Sequence, residues 1–314
     1  MYRHIAVPLD GTTESHQALS LAVGIARKAD GLVDLVHVHV AFPPVGGTEV
    51  YGAAGLSEDA IASLRQIAEQ KLQRTTAEVE ALGVRVTSAV LQGDVPNALA
   101  DHFRTSGTDL IVMTTHDRGR LEHLLLGSVA ESVVRRVQLP VLLVRAGDGT
   151  PTLSSVPRVG RILIPLDGSP FGEQVTPHAE KLAVLMGSEI TLLTVVQPVV
   201  VAAALATEAG PAADLALPSK MDIDPSDRAE IQSRVLEQTA MSLRTHGVSV
   251  HTAALADGNP ARAIVEYARK KNIDLIAMTT HGRGALKRLV AGSVSQAVLH
   301  TSPTLMLMYR PTAS

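Results

Sequence analysis

The sequence contains no cysteine and no tryptophan, and aromatic residues make up only 2% of its 314 positions. Without cysteine, disulfides, thiolate metal sites and cysteine nucleophiles are excluded, and a cysteine-free chain fits a reducing compartment. With so few aromatic rings, the stacking surfaces that bind single-stranded nucleic acid have almost nothing to be built from. The longest apolar run, residues 198–206, is far shorter than the roughly 20 residues that span a bilayer. These absences predict a cytoplasmic protein that binds neither nucleic acid nor a membrane.

The charge balance and the apolar content are those of a globular protein. The chain has 28 Lys and Arg residues against 31 Asp and Glu residues, a net charge of −3, and 46% hydrophobic residues. A dedicated nucleic-acid binder would be clearly basic, and a disordered chain would have fewer apolar residues. The length suits two domains of about 150 residues better than a single core.

Two parts of the chain are copies of each other. Residues 109–129 and 274–294 are identical at 14 of 21 positions, with a constant offset of 165. The segments that begin at His4 and Arg161 also match, at an offset of 157, so the second copy carries a net insertion of eight residues. One domain has therefore been duplicated. We predict a first domain over 1–146, a Gly-, Pro- and Ser-containing linker over 147–159 and a second domain over 160–314.

Within each copy, apolar runs of strand length alternate with segments that carry apolar residues at helical spacing, including one predicted helix over 172–186. This alternation produces right-handed crossovers, so the sheet is parallel and both of its faces are covered. The predicted fold class is α/β: two tandem doubly wound domains, each a five-stranded parallel sheet with helices on both faces. Ligands of such sheets bind beyond the carboxyl ends of the strands, where the strand order reverses.

Two long segments, 41–56 and 196–225, follow the second strand of each copy. The second is longer than ordinary connections, which predicts a lid, an interaction loop or a mobile segment.

The segment after the fourth strand carries the strongest local motif. It ends in LLLGSV in the first copy and LVAGSV in the second, so a glycine-containing loop leads to Gly-Ser at a helix start. Glycine permits close backbone approach, and the N–H groups of a first helical turn favour an anion. Plain helix capping is the alternative, because the pairs Ser128–Glu131 and Ser293–Gln296 have the spacing of a capping box. The G-x4-GK-[ST] pattern of P-loop NTPases is absent.

In these motifs the repeat resembles the universal stress protein domain, in its tandem two-domain form. Nucleotide-binding members of that family carry G-x2-G-x9-G-[ST] after the fourth strand and an aspartate, in a Pro-x-Asp context, after the first. The resemblance implies an adenine nucleotide alpha hydrolase-like fold that binds ATP or a related adenine nucleotide. It also implies that main chain at the end of the second strand meets adenine, and that Asp167 or Asp10 contacts a nucleotide-bound cation such as Mg²⁺.

The resemblance carries over to matching positions in both copies. The nucleotide-binding residues that it implies in the second copy are Pro165, Asp167, Val195, Thr279, His281, Gly282, Arg283, Gly292, Ser293 and Val294. The weaker candidates in the first copy are Pro8, Asp10, Val38, Thr114, Asp117, Gly127 and Ser128. For the two aspartates the alternative role is to cap the following helix, and for the two valines it is plain sheet core.

Both copies depart from the family pattern. Threonine replaces the first motif glycine at Thr114 and Thr279, and the second glycine is Gly282 in one copy but Asp117 in the other. A carboxylate beside a polyphosphate is repulsive unless a metal intervenes. We therefore predict that the second copy is the main nucleotide site and that the first is degenerate or binds something smaller.

Three functions remain open on the sequence alone. The first is a stress-response protein that binds adenine nucleotide and acts as a binding or signalling module. The second is a nucleotide-independent dimerisation or interaction protein, which the two threonines favour. The third is a slow ATP hydrolase, although no nucleophile, base and orienting group are recognisable, and we name no catalytic residue. The fifth strands are expected to pair within the chain as a pseudo-dimer, and a homodimer of whole chains is a further option.

Overall fold

The computed structural model describes residues 2–39, 58–115, 127–145, 153, 158–196, 225–280 and 293–312, with the backbone alone for 58–61 and 225–232. Most of the predicted linker, of the two long segments and of the loops after the fourth strands lies outside these residues. The elements of the first half, called domain 1, are β1 (His4–Pro8), α1 (Ser15–Ala29), β2 (Leu32–His39), α2 (Glu58–Glu80), β3 (Arg85–Gln92), α3 (Val95–Thr105), β4 (Leu110–Thr115), α4 (Ser128–Arg136) and β5 (Val141–Arg145). Those of the second half, called domain 2, are β6 (Arg161–Pro165), α5 (Pro170–Glu173), α6 (Thr176–Met186), β7 (Glu189–Val196), α7 (Pro225–Thr245), β8 (Val250–Ala256), α8 (Pro260–Lys270), β9 (Leu275–Thr279), α9 (Ser293–Thr301) and β10 (Leu305–Tyr309).

The two domains share one ten-stranded sheet with the order β3-β2-β1-β4-β5-β10-β9-β6-β7-β8. Neighbouring strands are parallel within each domain, whereas β5 and β10 pair antiparallel, with Leu142 opposite Leu307. The predicted five-stranded α/β domains and their internal pseudo-dimer are therefore confirmed. Each domain protects the last strand of the other, which would otherwise be an unpaired sheet edge.

Each face of the sheet carries a core that continues through both domains. Alternate strand residues point to opposite faces, so Ile5 enters one core and Ala6 the other. Helices α1, α2, α6 and α7 cover the first face, and Leu19 of α1 is fully buried there. Helices α3, α4, α8 and α9 cover the second face, where Val133 and Val298 are fully buried.

The antiparallel pairing of β5 with β10 places the two crevices at opposite ends of the strands. Strands of domain 1 end at the edge where strands of domain 2 begin, because the direction reverses between β5 and β10. A ligand beyond β1 and a ligand beyond β6 would therefore lie on opposite sides of the molecule.

The predicted helix over 172–186 is wrong in its continuity, because α5 ends at Glu173 and α6 begins at Thr176. Pro177 lies in the first turn of α6. In a continuous helix its ring would clash with the carbonyl of residue 173, and it has no N–H to donate. The chain therefore turns at Gln174 before α6 begins.

In the described part of the chain, no helix is long and apolar enough to cross a membrane.

Candidate functional site

The strand order creates a crevice in each domain. Strand β1 pairs with β2 on one side and with β4 on the other, and β6 pairs in the same way with β7 and β9. This is the reversal of strand order at which doubly wound sheets bind ligands. Pro8 and Pro165 are the last residues of β1 and β6, so both stand at the rim of their crevice.

The aspartates that follow these strands each close a turn. Asp167 Oδ1 accepts hydrogen bonds from the backbone N–H of Ser169 at 3.0 Å and from its hydroxyl at 2.6 Å. Ser169 is itself the N-cap of α5, and its Oγ accepts from the N–H of Gly172 at 3.1 Å. In domain 1, Asp10 Oδ1 accepts the same two bonds from Thr12, at 3.0 and 2.6 Å. Each aspartate thus fixes the turn after its strand, as side-chain turns of this kind do.

The turn in domain 2 is the more closely packed of the two. A Cβ atom at Gly172 would lie 2.8 Å from Asp167 Oδ1, closer than real Cβ atoms approach. The equivalent residue of domain 1 is Ser15, which is buried and donates from Oγ to the carbonyl of Thr12 at 2.8 Å. Asp167 is half-buried and Asp10 is exposed. The aspartate of domain 2 is therefore held in a more confined environment.

Val38 and Val195 present main-chain groups to the crevices. Val36 O accepts from the N–H of Leu9, and Leu193 O accepts from the N–H of Leu166, both at 2.8 Å. In a parallel strand the peptide groups of alternate residues point to the same neighbour. Those of Val38 and Val195 therefore point to the sides where β1 and β6 have already ended. A donor and an acceptor side by side can match the edge of a planar heterocycle.

Domain 1 has an imidazole beside its turn. His37 Nδ1 lies 2.8 Å from the carbonyl oxygen of Leu9, whose chain neighbour is Asp10. The equivalent residue of domain 2 is Thr194, which is 1% exposed. The rims of the two crevices therefore differ chemically at the end of the second strand.

The threonines at the first motif position face into the protein. Thr114 in β4 and Thr279 in β9 are each 7% exposed. Thr114 stands opposite Val144 of β5, and Thr279 stands opposite Tyr309 of β10. Most of each side chain is therefore covered by the protein.

Helices α4 and α9 begin at the crevice edge. The start of α4 is not stabilised by the predicted capping box. The N-cap of α4 is Gly127, with φ −57° and ψ 142° and no side-chain cap hydrogen bond, and Ser128 is the exposed first helical residue. The side chain of Glu131 pairs with Arg135 instead of returning to the helix start. A cap at Ser128 would need that residue to precede the first turn, so the Ser128–Glu131 box is wrong.

In domain 2, Ser293 is the exposed first residue of α9 and Val294 is half-buried. Ser295 Oγ donates to the carbonyl of Thr280 at 3.2 Å, which ties the first turn of α9 to the end of β9. Of the predicted site residues, His281, Gly282, Arg283, Gly292 and Asp117 lie outside the described residues.

The end of β8 adds a further aspartate to the crevice edge of domain 2. Asp257 Oδ1 accepts from the N–H of Asn259 at 2.8 Å, and both of its oxygens accept from Arg262 at 3.0 Å. The bond from Asn259, and after it the bond from Arg262, lowers the pKa of the Asp257 carboxyl. Arg262 balances the charge of this carboxylate.

Sequence reasoning missed the hydroxyl partners Thr12 and Ser169. The signal was present, because Asp-Gly-Thr and Asp-Gly-Ser follow the first strand of each copy.

No group of three or more metal-ligating side chains occurs among the residues that the structure describes.

This arrangement defines a class of protein: tandem doubly wound α/β domains with one crevice in each domain. The universal stress protein family model matches residues 1–145 and 159–310, and the chain belongs to that family. A universal stress protein of Mycobacterium tuberculosis is 26% identical over 313 residues, covering 98% of this chain and 96% of the relative. One from Methanocaldococcus jannaschii is 32% identical over 145 residues, covering 46% of this chain and 83% of the relative. The crystal structure of a universal stress protein from Archaeoglobus fulgidus covers 98% of both chains with a TM-score of 0.69 at 18% identity, which shows the fold.

Proposed function

We propose that the protein binds an adenine nucleotide, ATP or a related compound, mainly in the crevice of domain 2, and acts as a binding or signalling module in a stress response. The observation that carries the proposal is the direction of the Val195 peptide groups, which point past the end of β6 into that crevice. Adenine offers a neighbouring donor and acceptor on one edge, and a main-chain N–H and C=O complement that pair. Family membership supports the same ligand.

The phosphate end of the ligand is assigned to the start of α9. Its first-turn N–H groups and its dipole favour negative charge, and Ser293 adds an exposed hydroxyl. Gly292 and Gly282 of the preceding loop are proposed as positions of close backbone approach, and His281 and Arg283 as phosphate contacts.

A cation would enter this site with the nucleotide rather than alone. Mg²⁺ binds through one or two carboxylates together with substrate phosphates. The half-buried carboxylate of Asp167 fits that donor set, although its Oδ1 already accepts two bonds from Ser169. When bound, the ion would neutralise phosphate charge, and Asp167 would orient it from the strand end.

The second candidate function is a nucleotide-independent interaction module. Both aspartates are engaged in their own turns, and both first motif positions are threonine, which favour this alternative. A homodimer would need a different surface from the fifth strands, because β5 and β10 already pair within the chain.

We propose a cytoplasmic location, since the cysteine-free sequence suits a reducing compartment.

The first experiment asks which small molecule the protein carries. Purified protein is denatured, released compounds are identified by mass spectrometry, and the empty chain is titrated with ATP and GTP. We expect a co-purifying adenine nucleotide, or binding of ATP in preference to GTP. An empty protein that also fails to bind millimolar ATP would favour the interaction module.

The second experiment locates the main site with matched variants of the full chain. Gly292→Ala and Gly127→Ala crowd the equivalent helix starts, and the first should reduce total ATP binding more than the second. Asp117→Gly should strengthen ATP binding by domain 1, because it removes a carboxylate that would repel the phosphates. Two unit charges about 4 Å apart repel by roughly 4 kcal/mol at an effective dielectric of about 20. Equal losses from both alanine variants, or no gain from Asp117→Gly, would contradict the assignment to domain 2.

A further inference from the structure

Two equivalent arginines cross between the domains in opposite directions. Arg145, the last residue of β5, donates from its guanidinium to the carbonyl of Leu299 in α9. Arg310, which follows β10, donates to the carbonyl of Arg135 in α4 at 2.6 Å. The two arginines occupy the same place in the repeat, 165 residues apart. Each therefore binds the last turn of a helix that belongs to the other domain.

The carbonyl groups that receive these bonds are at helix ends. The last four carbonyls of a helix lack an intrahelical donor, and the negative end of the dipole favours a cation there. The Leu299 carbonyl has no α-helical donor, because the residue four positions later is Pro303, which has no N–H. Arg145 supplies the donor that the helix cannot.

Burial makes the Arg145 bond more consequential. Its Nε atom is buried and finds no acceptor among the described residues, and burial lowers the pKa of the guanidinium. A guanidinium still remains charged at neutral pH. Because Arg145 is half-buried, part of its charge is withdrawn from water, and the bond to Leu299 replaces some of that solvation.

The opposite ends of the same helices lie at the candidate sites. α9 runs from Ser293, at the crevice edge of domain 2, to the edge where domain 1 strands end and Arg145 stands. α4 runs the other way, from Ser128 at the crevice of domain 1 to Arg135 beside Arg310. Each helix has nine residues, or about 13 Å at 1.5 Å per residue, so a shift at one end is transmitted to the other.

The two helices differ in how else they are held. In domain 1, Arg136 Nε donates to Asn97 Oδ1 of α3 at 3.1 Å, which ties the end of α4 to its own domain. The equivalent residue of domain 2 is Thr301, whose hydroxyl donates to Ala297 within α9 at 2.7 Å. The end of α9 therefore depends more on Arg145 than the end of α4 depends on Arg310.

We propose that Arg145 and Arg310 are positioning residues for the nucleotide site of the opposite domain: Arg145 holds α9 for domain 2, and Arg310 holds α4 for domain 1. The proposal rests on the proposed function for its ligand. Its consequence is that neither crevice is complete without the other domain.

The test compares Arg145→Ala and Arg310→Ala in the full chain, each serving as the control for the other. Hydrogen exchange followed by mass spectrometry reports residues 128–136 and 293–301 separately, with and without ATP. Arg145→Ala should speed exchange in 293–301 and weaken ATP binding by domain 2 about three- to tenfold, while domain 1 is unchanged. Arg310→Ala should produce the reversed and smaller pattern. Arg145→Lys should recover most of the loss, because it returns a cation to the Leu299 carbonyl.

Several outcomes would overturn the proposal. It fails if Arg145→Ala weakens ATP binding equally in both domains or in domain 1 alone. It also fails if hydrogen exchange in residues 293–301 is unchanged. If Arg145→Ala does not fold, Arg145→Gln, which keeps a donor but no charge, takes its place under the same criteria. If the unaltered chain binds no nucleotide, the proposed function fails, while exchange in the two helices without ATP still decides whether the arginines position them.

Discussion

The hydroxyl of Tyr2 donates a 2.9 Å hydrogen bond to the carbonyl oxygen of His178, across the boundary between the two domains. Tyr2 is only 2% exposed, and burial, with a further contribution from the charge of Asp109, raises the pKa of its hydroxyl well above the ordinary value. The ring of His178 packs on that of Tyr309, with centroids 4.3 Å apart. The start of domain 1 is thus joined to the first helix turns and the last strand of domain 2.

The first prediction concerns this hydrogen bond. Tyr2→Phe removes the hydroxyl and keeps the buried ring, so we expect a loss of about 0.5–1.5 kcal/mol in the free energy of unfolding. Tyr267→Phe is the matched control, because no hydrogen bond of its hydroxyl is found in the described part of the chain. Urea denaturation of the full-length proteins measures both changes. Equal effects of the two variants would show that the Tyr2 bond contributes nothing of its own.

The second prediction concerns the pH dependence of stability. Burial, and then the nearby charge of Lys181, lowers the pKa of the His178 imidazole from 6.5 to about 4. Between these two pKa values the unfolded chain binds the proton more readily than the folded chain. The contribution of His178 to the free energy of unfolding is therefore fully present above pH 6.5 and is lost as the pH falls toward 4. The limit is about 3 kcal/mol at 1.4 kcal/mol per pKa unit, and solvent screening of the half-buried ring reduces it.

His178→Phe keeps a ring against Tyr309 and removes the titration. Urea denaturation at pH 7.5 and at pH 4.5 should therefore show a smaller acid loss for this variant than for the unaltered chain. If the two proteins lose stability in parallel, His178 is not the source of the dependence.

The third prediction tests the tight turn beside the domain 2 crevice. Gly172→Ala would place a Cβ 2.8 Å from Asp167 Oδ1 and 3.3 Å from Ser169 Oγ, so the turn must shift. We expect weaker ATP binding by domain 2 and a loss of about 1–3 kcal/mol in the free energy of unfolding. The control is Gly258→Ala, because a Cβ there would meet nothing within 4 Å. Calorimetric titration and urea denaturation measure the two effects, and unchanged binding in Gly172→Ala would separate this turn from the ligand.

The fourth prediction concerns a buried carboxylate of domain 1. Asp34 is 3% exposed, and its two oxygens accept from Thr87 Oγ1 at 2.8 Å and contact His102 Nε2 at 2.7 Å. Asp34→Leu would leave both partners without their acceptor, so we expect a loss of about 2–4 kcal/mol in the free energy of unfolding. The control is Thr191→Val at the equivalent position of domain 2, which should cost less than about 1 kcal/mol. Urea denaturation distinguishes the two, and a small effect at Asp34 would mean that water replaces it.

The sequence alone determined the duplicated α/β architecture, because strand and helix periodicity are local properties and both copies repeat them in register. It also placed the aspartates at the strand ends and predicted pairing of the fifth strands. The spacing of apolar residues did not reveal the break before α6, which Pro177 causes, or the N-cap of α4, which is Gly127 rather than Ser128. Both depend on where the chain enters a helix, and a spacing rule fixes that only to within a few residues.

Only the tertiary structure decided which distant groups meet. The antiparallel direction at β5 and β10 sets the two crevices at opposite edges, and that direction brings Arg145 to α9 and Arg310 to α4. The partners in these bonds are 154 and 175 residues apart in the chain. No periodicity encodes such a contact, because it exists only after two cores have packed and their helix ends have come within reach of the same strand ends.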